Sequence, residues 1–147
     1  AEEGDSEGLY ELIKPYIEAE DIYALHLYAN FSLGSFNESE EEFTKRYIEL
    51  KTRASEGGIA DASYRMGVNH LYGDDVEQSY TKSAMYFERA IAQGHSYTKF
   101  TFGYSLYYGT YENPKNESRG IMLMEQAAKE GIKNADLELK LIADKNA

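Results

Sequence analysis

Two stretches of the chain repeat one pattern of apolar and polar positions. "YFERAIAQG" (86–94) and "LMEQAAKEG" (123–131) both run large apolar, large apolar, Glu, polar, Ala, and both close on Gly. Extending the comparison from Gly58, Gly94 and Gly131, which stand 36 and 37 residues apart, brings more positions into line. Ala62, Met66, Gly67 and Gly73 follow Gly58 at offsets 4, 8, 9 and 15, and Thr98, Phe102, Gly103 and Gly109 follow Gly94 at the same offsets. After Gly131 come Ala135 and Leu139, and an anchor at Ala19 supplies Leu27 and Gly34. Offsets 4, 8, 12 and 15 span an arc of about 80° at 100° per residue, which is one face of a helix. Repetition over the whole chain at this period marks a stacked array.

Each unit predicts two helices. The glycines at offset 15 and at the unit ends sit where a helix closes on a left-handed residue. Segments such as "GDDVEQS" and "GTYENPKNES", with Pro114, read as loops. A glycine inside a helix costs about 1 kcal/mol against alanine. Its recurrence at offset 9 therefore predicts two helix backbones in close approach. The expected architecture is all-α, with about eight helices in one domain spanning 1–147. An opening helix over 7–18 contains Pro15, which should kink it or delay its start. Repeats follow at about 19–57, 58–93 and 94–130, with helix pairs over about 21–55, 59–92 and 95–130. A terminal half-repeat, 131–147, carries a helix at 133–144 with Lys140 where glycine belongs, and its polar outer face would end the stack.

A unit of about 36 residues, with "A-x3-[LMF]-G-x5-G" in its first helix and an ending like "[YF]-x-[KR]-A-x2-x-G", resembles the Sel-one-like repeat (SLR), a relative of the tetratricopeptide (TPR) repeat. Residues 58–131 fit best, 19–57 loosely, and 1–18 only as a preceding second helix. The resemblance implies a right-handed α-solenoid whose first helices line a concave face. It implies protein–protein recognition, without catalysis or a cofactor. His70 and Leu106 stand where the family usually has an aromatic, and Thr98 replaces a small alanine. A disulfide-tied subfamily of secreted bacterial SLR proteins is no guide here, because the chain has no cysteine.

Charge narrows the partner. Twenty-six acidic against 15 basic residues give a net charge of −11. That field repels phosphate backbones and anionic lipid, so nucleic acid is not expected. It suits a basic protein or peptide. No apolar run is long enough to insert into a membrane. The chain opens without Met or a signal-peptide pattern, as expected of a mature or trimmed product. SLR proteins serve as adaptors in bacteria and in the endoplasmic reticulum. The bacterial cytoplasm or periplasm is favoured over a eukaryotic secretory lumen, where the triplets at Asn30, Asn37 and Asn116 would be glycan acceptors.

Catalytic chemistry finds little support. "SYTK" occurs at Ser79–Lys82 and Ser96–Lys99, matching the S-x-x-K of serine acyl-transferases, but its S-D-N and K-T-G companions are missing. A serine hydrolase is the remote alternative. His26, His70 and His95 lack a metal-chelating spacing. His70 lies on the packing stripe and should be a core residue, with His26 and His95 at the surface. The carboxylates of "GDDVE" and "NESEEEF" lack the alternation of a calcium loop, and suit helix N-termini instead.

The aromatic residues carry more. Fourteen tyrosines and six phenylalanines are present. Offsets 3, 6, 7, 10 and 14 of the first helices fall in one arc directed away from the packing stripe. They are Asp61, Tyr64, Arg65, Val68 and Tyr72 in one unit, and Tyr97, Phe100, Thr101, Tyr104 and Tyr108 in the next. Side by side they would floor a groove for a protein or peptide, since tyrosine offers apolar area and a hydroxyl at low entropic cost. The expected function is a non-catalytic interaction scaffold or adaptor. The alternative is an immunity-type inhibitor of a basic partner such as a toxin.

Overall fold

The structure, a computed structural model, describes the backbone of residues 2–147 and the side chains from Asp5 onward. Among these residues there are eight α-helices, one 3-10 turn and no strand: α1 (Glu2–Glu18), α2 (Ile22–Tyr28), the turn Gly34–Phe36, α3 (Glu40–Glu56), α4 (Ala60–Tyr72), α5 (Tyr80–Ala92), α6 (Ser96–Tyr108), α7 (Glu117–Lys129) and α8 (Lys133–Lys145). From α4 onward each helix has 13 residues, and α4, α6 and α8 start 36 and 37 residues apart. Neighbours in sequence are neighbours in space, as a solenoid requires.

One hydrogen-bonded closure recurs between units. Ile59 N–H donates to the Ala54 carbonyl, His95 to Ala90 and Ile132 to Ala127, each bridging a left-handed glycine (Gly58, Gly94, Gly131). This six-residue closure ends a helix and aims the chain into the next one. Asp21 N–H makes the same bond to Tyr16. There the left-handed residue is Glu20, at φ 58°. The first unit is therefore anchored on Glu20, one residue beyond the Ala19 expected from the sequence. In the corrected register Ala24 and Ala29 fall at offsets 4 and 9 and are buried, whereas Leu27 is exposed.

Within a unit the helices interlock at small residues. A Cβ on Gly103 would stand 3.0 Å from the Gly120 carbonyl oxygen, and one on Gly120 only 2.6 Å from that of Gly103. In the preceding unit Gly67 lies under the Phe87 ring, and the Ser83 hydroxyl donates to the Gly67 carbonyl at 2.8 Å. Between units the arrangement differs. The α5 and α6 backbones contact each other sparsely, and Phe87 and Phe102, with ring centroids 6.0 Å apart, help fill the space. Leu106 and Leu123 complete that core.

The opening of the chain departs from expectation at three places. Helix α1 starts at Glu2, not near residue 7, and continues through Pro15 to Glu18. Pro15 is exposed, so the carbonyl its missing N–H fails to serve can be hydrated. Helix α2 stops at Tyr28, six residues before Gly34. Arg46 organises the loop that follows. It donates to the Tyr28 and Phe31 carbonyls at 2.9 and 2.7 Å and pairs with Glu38 at 2.7 Å, while its guanidinium lies 4.3 Å from the Tyr28 ring centre. Tyr10, Phe31 and Phe36 close around Tyr28. The planar fork is what a lysine lacks. Arg46→Lys should therefore expose 29–39 to limited proteolysis at least tenfold faster, while α4–α8 stay resistant. Unchanged cleavage would show that the aromatic cluster holds the loop alone.

The chain's last helix is not uniformly polar outside. Leu137 and Leu141, one turn apart, are 57% and 62% exposed on α8.

Candidate functional site: an aromatic groove between α4 and α6

The first helices of two successive units leave a groove of about 390 Å³ between them. Tyr64, Val68, Leu71 and Tyr72 of α4 form one wall, and Tyr97, Phe100, Thr101 and Tyr104 of α6 the other. Ser83, Ala84 and Phe87 of α5 contribute from beneath, and Tyr80, Thr110, Tyr111 and Asn113 close one end. The rings form a chain of contacts: Tyr64–Tyr97 at 5.7 Å, Tyr97–Phe100 at 6.0 Å, Phe100–Tyr104 at 6.3 Å and Tyr104–Tyr108 at 4.6 Å. Tyr72 is 62% exposed and Tyr104 40%, so both present ring surface to solvent. The Thr110 hydroxyl at the closed end has no hydrogen-bond partner among the described residues.

A polar cluster lies at the opposite end, where α4 and α6 begin. Asp61 accepts from Arg65 Nε at 3.0 Å, and its carboxylate stands 3.4 Å from His26 Nε2 and 3.8 Å from His95 Nε2. Tautomers follow from the other ring nitrogens. His95 Nδ1 accepts from the Thr98 N–H, capping α6, and His26 Nδ1 accepts from the Lys51 ammonium at 3.0 Å. Both imidazoles therefore turn Nε2–H toward Asp61. Burial lowers both imidazole pKa values, and Lys51 lowers that of His26 further. Burial alone would raise the Asp61 pKa, but its bond to Arg65 and the surrounding positive charge hold it below the usual carboxylate range. Lys51 is fully buried, and that burial lowers its pKa to about 8. Tyr64 joins the two regions by stacking on His95 at 4.8 Å.

Of the ten residues expected at the site, seven line the groove: Tyr64, Val68, Tyr72, Tyr97, Phe100, Thr101 and Tyr104. Asp61 and Arg65 lie in the polar cluster beside it. Tyr108 turns away and donates to Glu138 of α8 at 2.5 Å, a bond that raises the phenol pKa to about 12. His70 is buried as expected, stacked on Tyr86 with its Nδ1 against the Glu77 carbonyl. His26 and His95, expected at the surface, are mostly covered instead, because the corrected first unit brings α2 against α4 and each ring finds a bonding partner. Tyr80, Tyr111 and Lys51 escaped the sequence reading. The tyrosines flank loops, and the lysine lies on a second helix.

The two "SYTK" strings do other work. Ser79 caps α5 by accepting from the Lys82 N–H at 3.1 Å. Ser96 and Lys99 both bind Glu130, whose carboxylate is 2.7 Å from the Lys99 ammonium. Ser96 donates to Glu130 and not to Lys99, so the lysine is not placed as a base for the serine. Among the described residues no group of three His, Asp or Glu side chains is placed to hold a metal ion, and no helix is long and apolar enough to cross a membrane. Ser39 and Glu42 form a capping box at the start of α3, the helix-terminus role expected for that acidic stretch.

Comparison with known proteins places this geometry. The Sel1 repeat family model matches residues 60–95 and 103–132. No curated protein matches the chain by sequence. Among solved structures, a Sel1 repeat protein from Oxalobacter formigenes superposes with a TM-score of 0.77 at 22% identity, covering 89% of this chain and 98% of that one. A protective antigen of uropathogenic Escherichia coli strains, displaying an SLR fold, gives 0.68 at 19%, covering 85% of this chain and 26% of its own length. Cysteine rich protein B of Helicobacter pylori gives 0.64 at 18%, covering 87% and 92%. Two stretches of this chain thus match the Sel1 repeat, and the chain has the all-α solenoid fold seen in the Sel1-like repeat proteins.

Proposed function

We propose that the chain is a non-catalytic protein-interaction module that holds a peptide segment of its partner in the groove between α4 and α6. Sel1 repeats generally mediate protein–protein interaction, which supports the class of function. The observation that carries the reading is the exposure of Tyr72, Tyr97, Tyr104 and Tyr111 on one groove, over the buried rings of Phe87 and Phe102. Exposed rings beside an apolar floor leave area that a ligand can remove from water. The neighbouring hydroxyls offer hydrogen bonds at fixed positions. Binding then needs little reordering of the protein, which limits its entropic cost.

Buried aromatic anchors commonly carry about 2 kcal/mol or more of binding. Tyr72→Ala and Tyr104→Ala should each weaken partner binding at least tenfold, with helicity and melting close to wild type. The measurement is titration calorimetry with a partner captured by affinity pull-down and identified by mass spectrometry. Unfolding by either change would make the tyrosines structural. Full affinity in both variants would move recognition to another face.

A further inference from the structure

We propose that the groove's occupant is an extended apolar segment bearing a carboxylate at one end, and that this end lies against Arg65. The inference rests on the groove being the binding site and adds the occupant's charge and direction.

Three observations converge on Arg65. Asp61 takes only its Nε, and among the described residues nothing else accepts from the guanidinium, so both terminal nitrogens remain open on a side chain 53% exposed. Two parallel N–H donors at that spacing match a carboxylate. Asp61 cancels only one of two nearby positive charges, those of Arg65 and Lys51, since both imidazoles are neutral in the tautomers their hydrogen bonds set. A net positive island therefore stands in a chain whose net charge is −11. The third observation is placement: Arg65 lies outside the groove lining but shares a face of α4 with Tyr72, two turns on, which lines it.

The two ends of the groove differ in sign. Tyr64 meets His95 and Tyr97 where α4 and α6 begin, while Tyr72 and Tyr111 line it where they end, so the two helices run parallel. Arg65 is the sixth of 13 residues in α4, beyond the first turn where the helix dipole acts, so its own guanidinium sets the positive sign there. At the far end Asp74, whose charge acts on Tyr72, and Glu112, next to Tyr111, are exposed with no ion pair among the described residues, while Asp75 lines a separate hollow with Lys45 of α3. A second carboxylate there would be repelled. From Arg65 to Tyr72 the helix rises about 10 Å, which an extended chain covers in about three or four residues. The occupant is therefore short, apolar in the middle and acidic at one end.

The test uses the full chain and a displayed library of random octapeptides. One format leaves the peptide C-terminus free and the other joins it to linkers at both ends, which distinguishes a terminal carboxylate from an Asp or Glu side chain. Peptides selected on wild type should be aromatic or aliphatic at their centre. In the linked format they should be enriched in Asp or Glu at one side. Resynthesised with a fluorescent label, they should lose at least tenfold in affinity to Arg65→Gln. Arg65→Glu should recover binding when the peptide's acidic residue is replaced by lysine. Melting curves of both variants verify that they fold.

Peptides whose binding depends on Tyr72 and Tyr104, but which show no acidic preference and equal affinity for Arg65→Gln, would overturn this inference and leave the groove standing. Enrichment of Lys or Arg would overturn it too. Failure to select any peptide that depends on Tyr72 or Tyr104 would remove the groove reading, and this inference with it.

Discussion

Gly120→Ala should destabilise the protein by more than the ~1–3 kcal/mol of ordinary overpacking. Helix propensity predicts the opposite sign, a gain of about 1 kcal/mol from alanine. Geometry decides between them. The added methyl would lie 2.6 Å from the Gly103 oxygen, 2.8 Å from the Tyr107 nitrogen and 2.9 Å from the Tyr107 Cβ. Two of those atoms are backbone of a packed helix, so relief requires moving α6 away from α7. Gly103→Ala should be milder, because its nearest contacts are at 3.0–3.2 Å and one is the flexible Met124. Gly103→Leu, with more atoms to place, should approach Gly120→Ala. Gly8→Ala is the control: nothing lies within 4 Å of its Cβ, so propensity alone should stabilise α1. Urea midpoints would rank the four. A Gly120→Ala protein as stable as wild type would show that the two helices are not locked at this point.

The second large effect is a stability that climbs with pH above 8. Lys51 titrates near pH 8 in the folded chain, against an ordinary value of 10.5. Between those values the unfolded state binds more protons, so stability rises with pH, by at most about 1.4 kcal/mol per unit. Tyr28, Tyr47 and Tyr64 work in the other direction, because burial raises each phenol above its usual value. Their penalty sets in as pH passes about 10. The clean window is therefore pH 8 to 9.5. Lys51→Met removes the buried charge at similar volume, and its unfolding midpoint should lose the slope across that window. Parallel curves for the two proteins would assign the slope to other groups. On the acid side the lowered pKa values of His26 and His95 act with the same sign: stability falls as pH drops below about 6.5.

What could be read from the sequence depended on whether a conformation leaves a mark in residue type. A left-handed linker and a close backbone contact both select glycine, so Gly58, Gly94 and Gly103 displayed the period and the packing. Glu20 occupies the same left-handed position without that mark, so the sequence alone suggests a register one residue early for the first unit. The short α2 was hidden for another reason. The length of a helix that ends in a loop held by Arg46 depends on contacts 15 and 18 residues away. Seven groove residues could be found because helical periodicity alone separates a packing stripe from the remaining arc. Asp61 and Arg65 lie on that same arc, but their partners His26 and His95 could not be found with them, because they come from segments about 35 residues distant. Asp61 and His95 stand at offsets 3 and 1 of their units, near the start of α4 and at the cap of α6, whereas His26, at offset 6 from Glu20, lies in the last turn of the short α2.

The contrast between the joints of the solenoid has a mechanical consequence. In the α6–α7 pair the backbones interlock at Gly103 and Gly120 and can neither slide nor turn without a clash. Between α5 and α6 the backbones stand apart and broad rings face one another. Apolar rings carry no register, so the joint accommodates shear at small cost. The groove spans that joint, one wall on each side of it. Its two walls thus belong to different slabs, and any ligand that fills it acts as a splint between them.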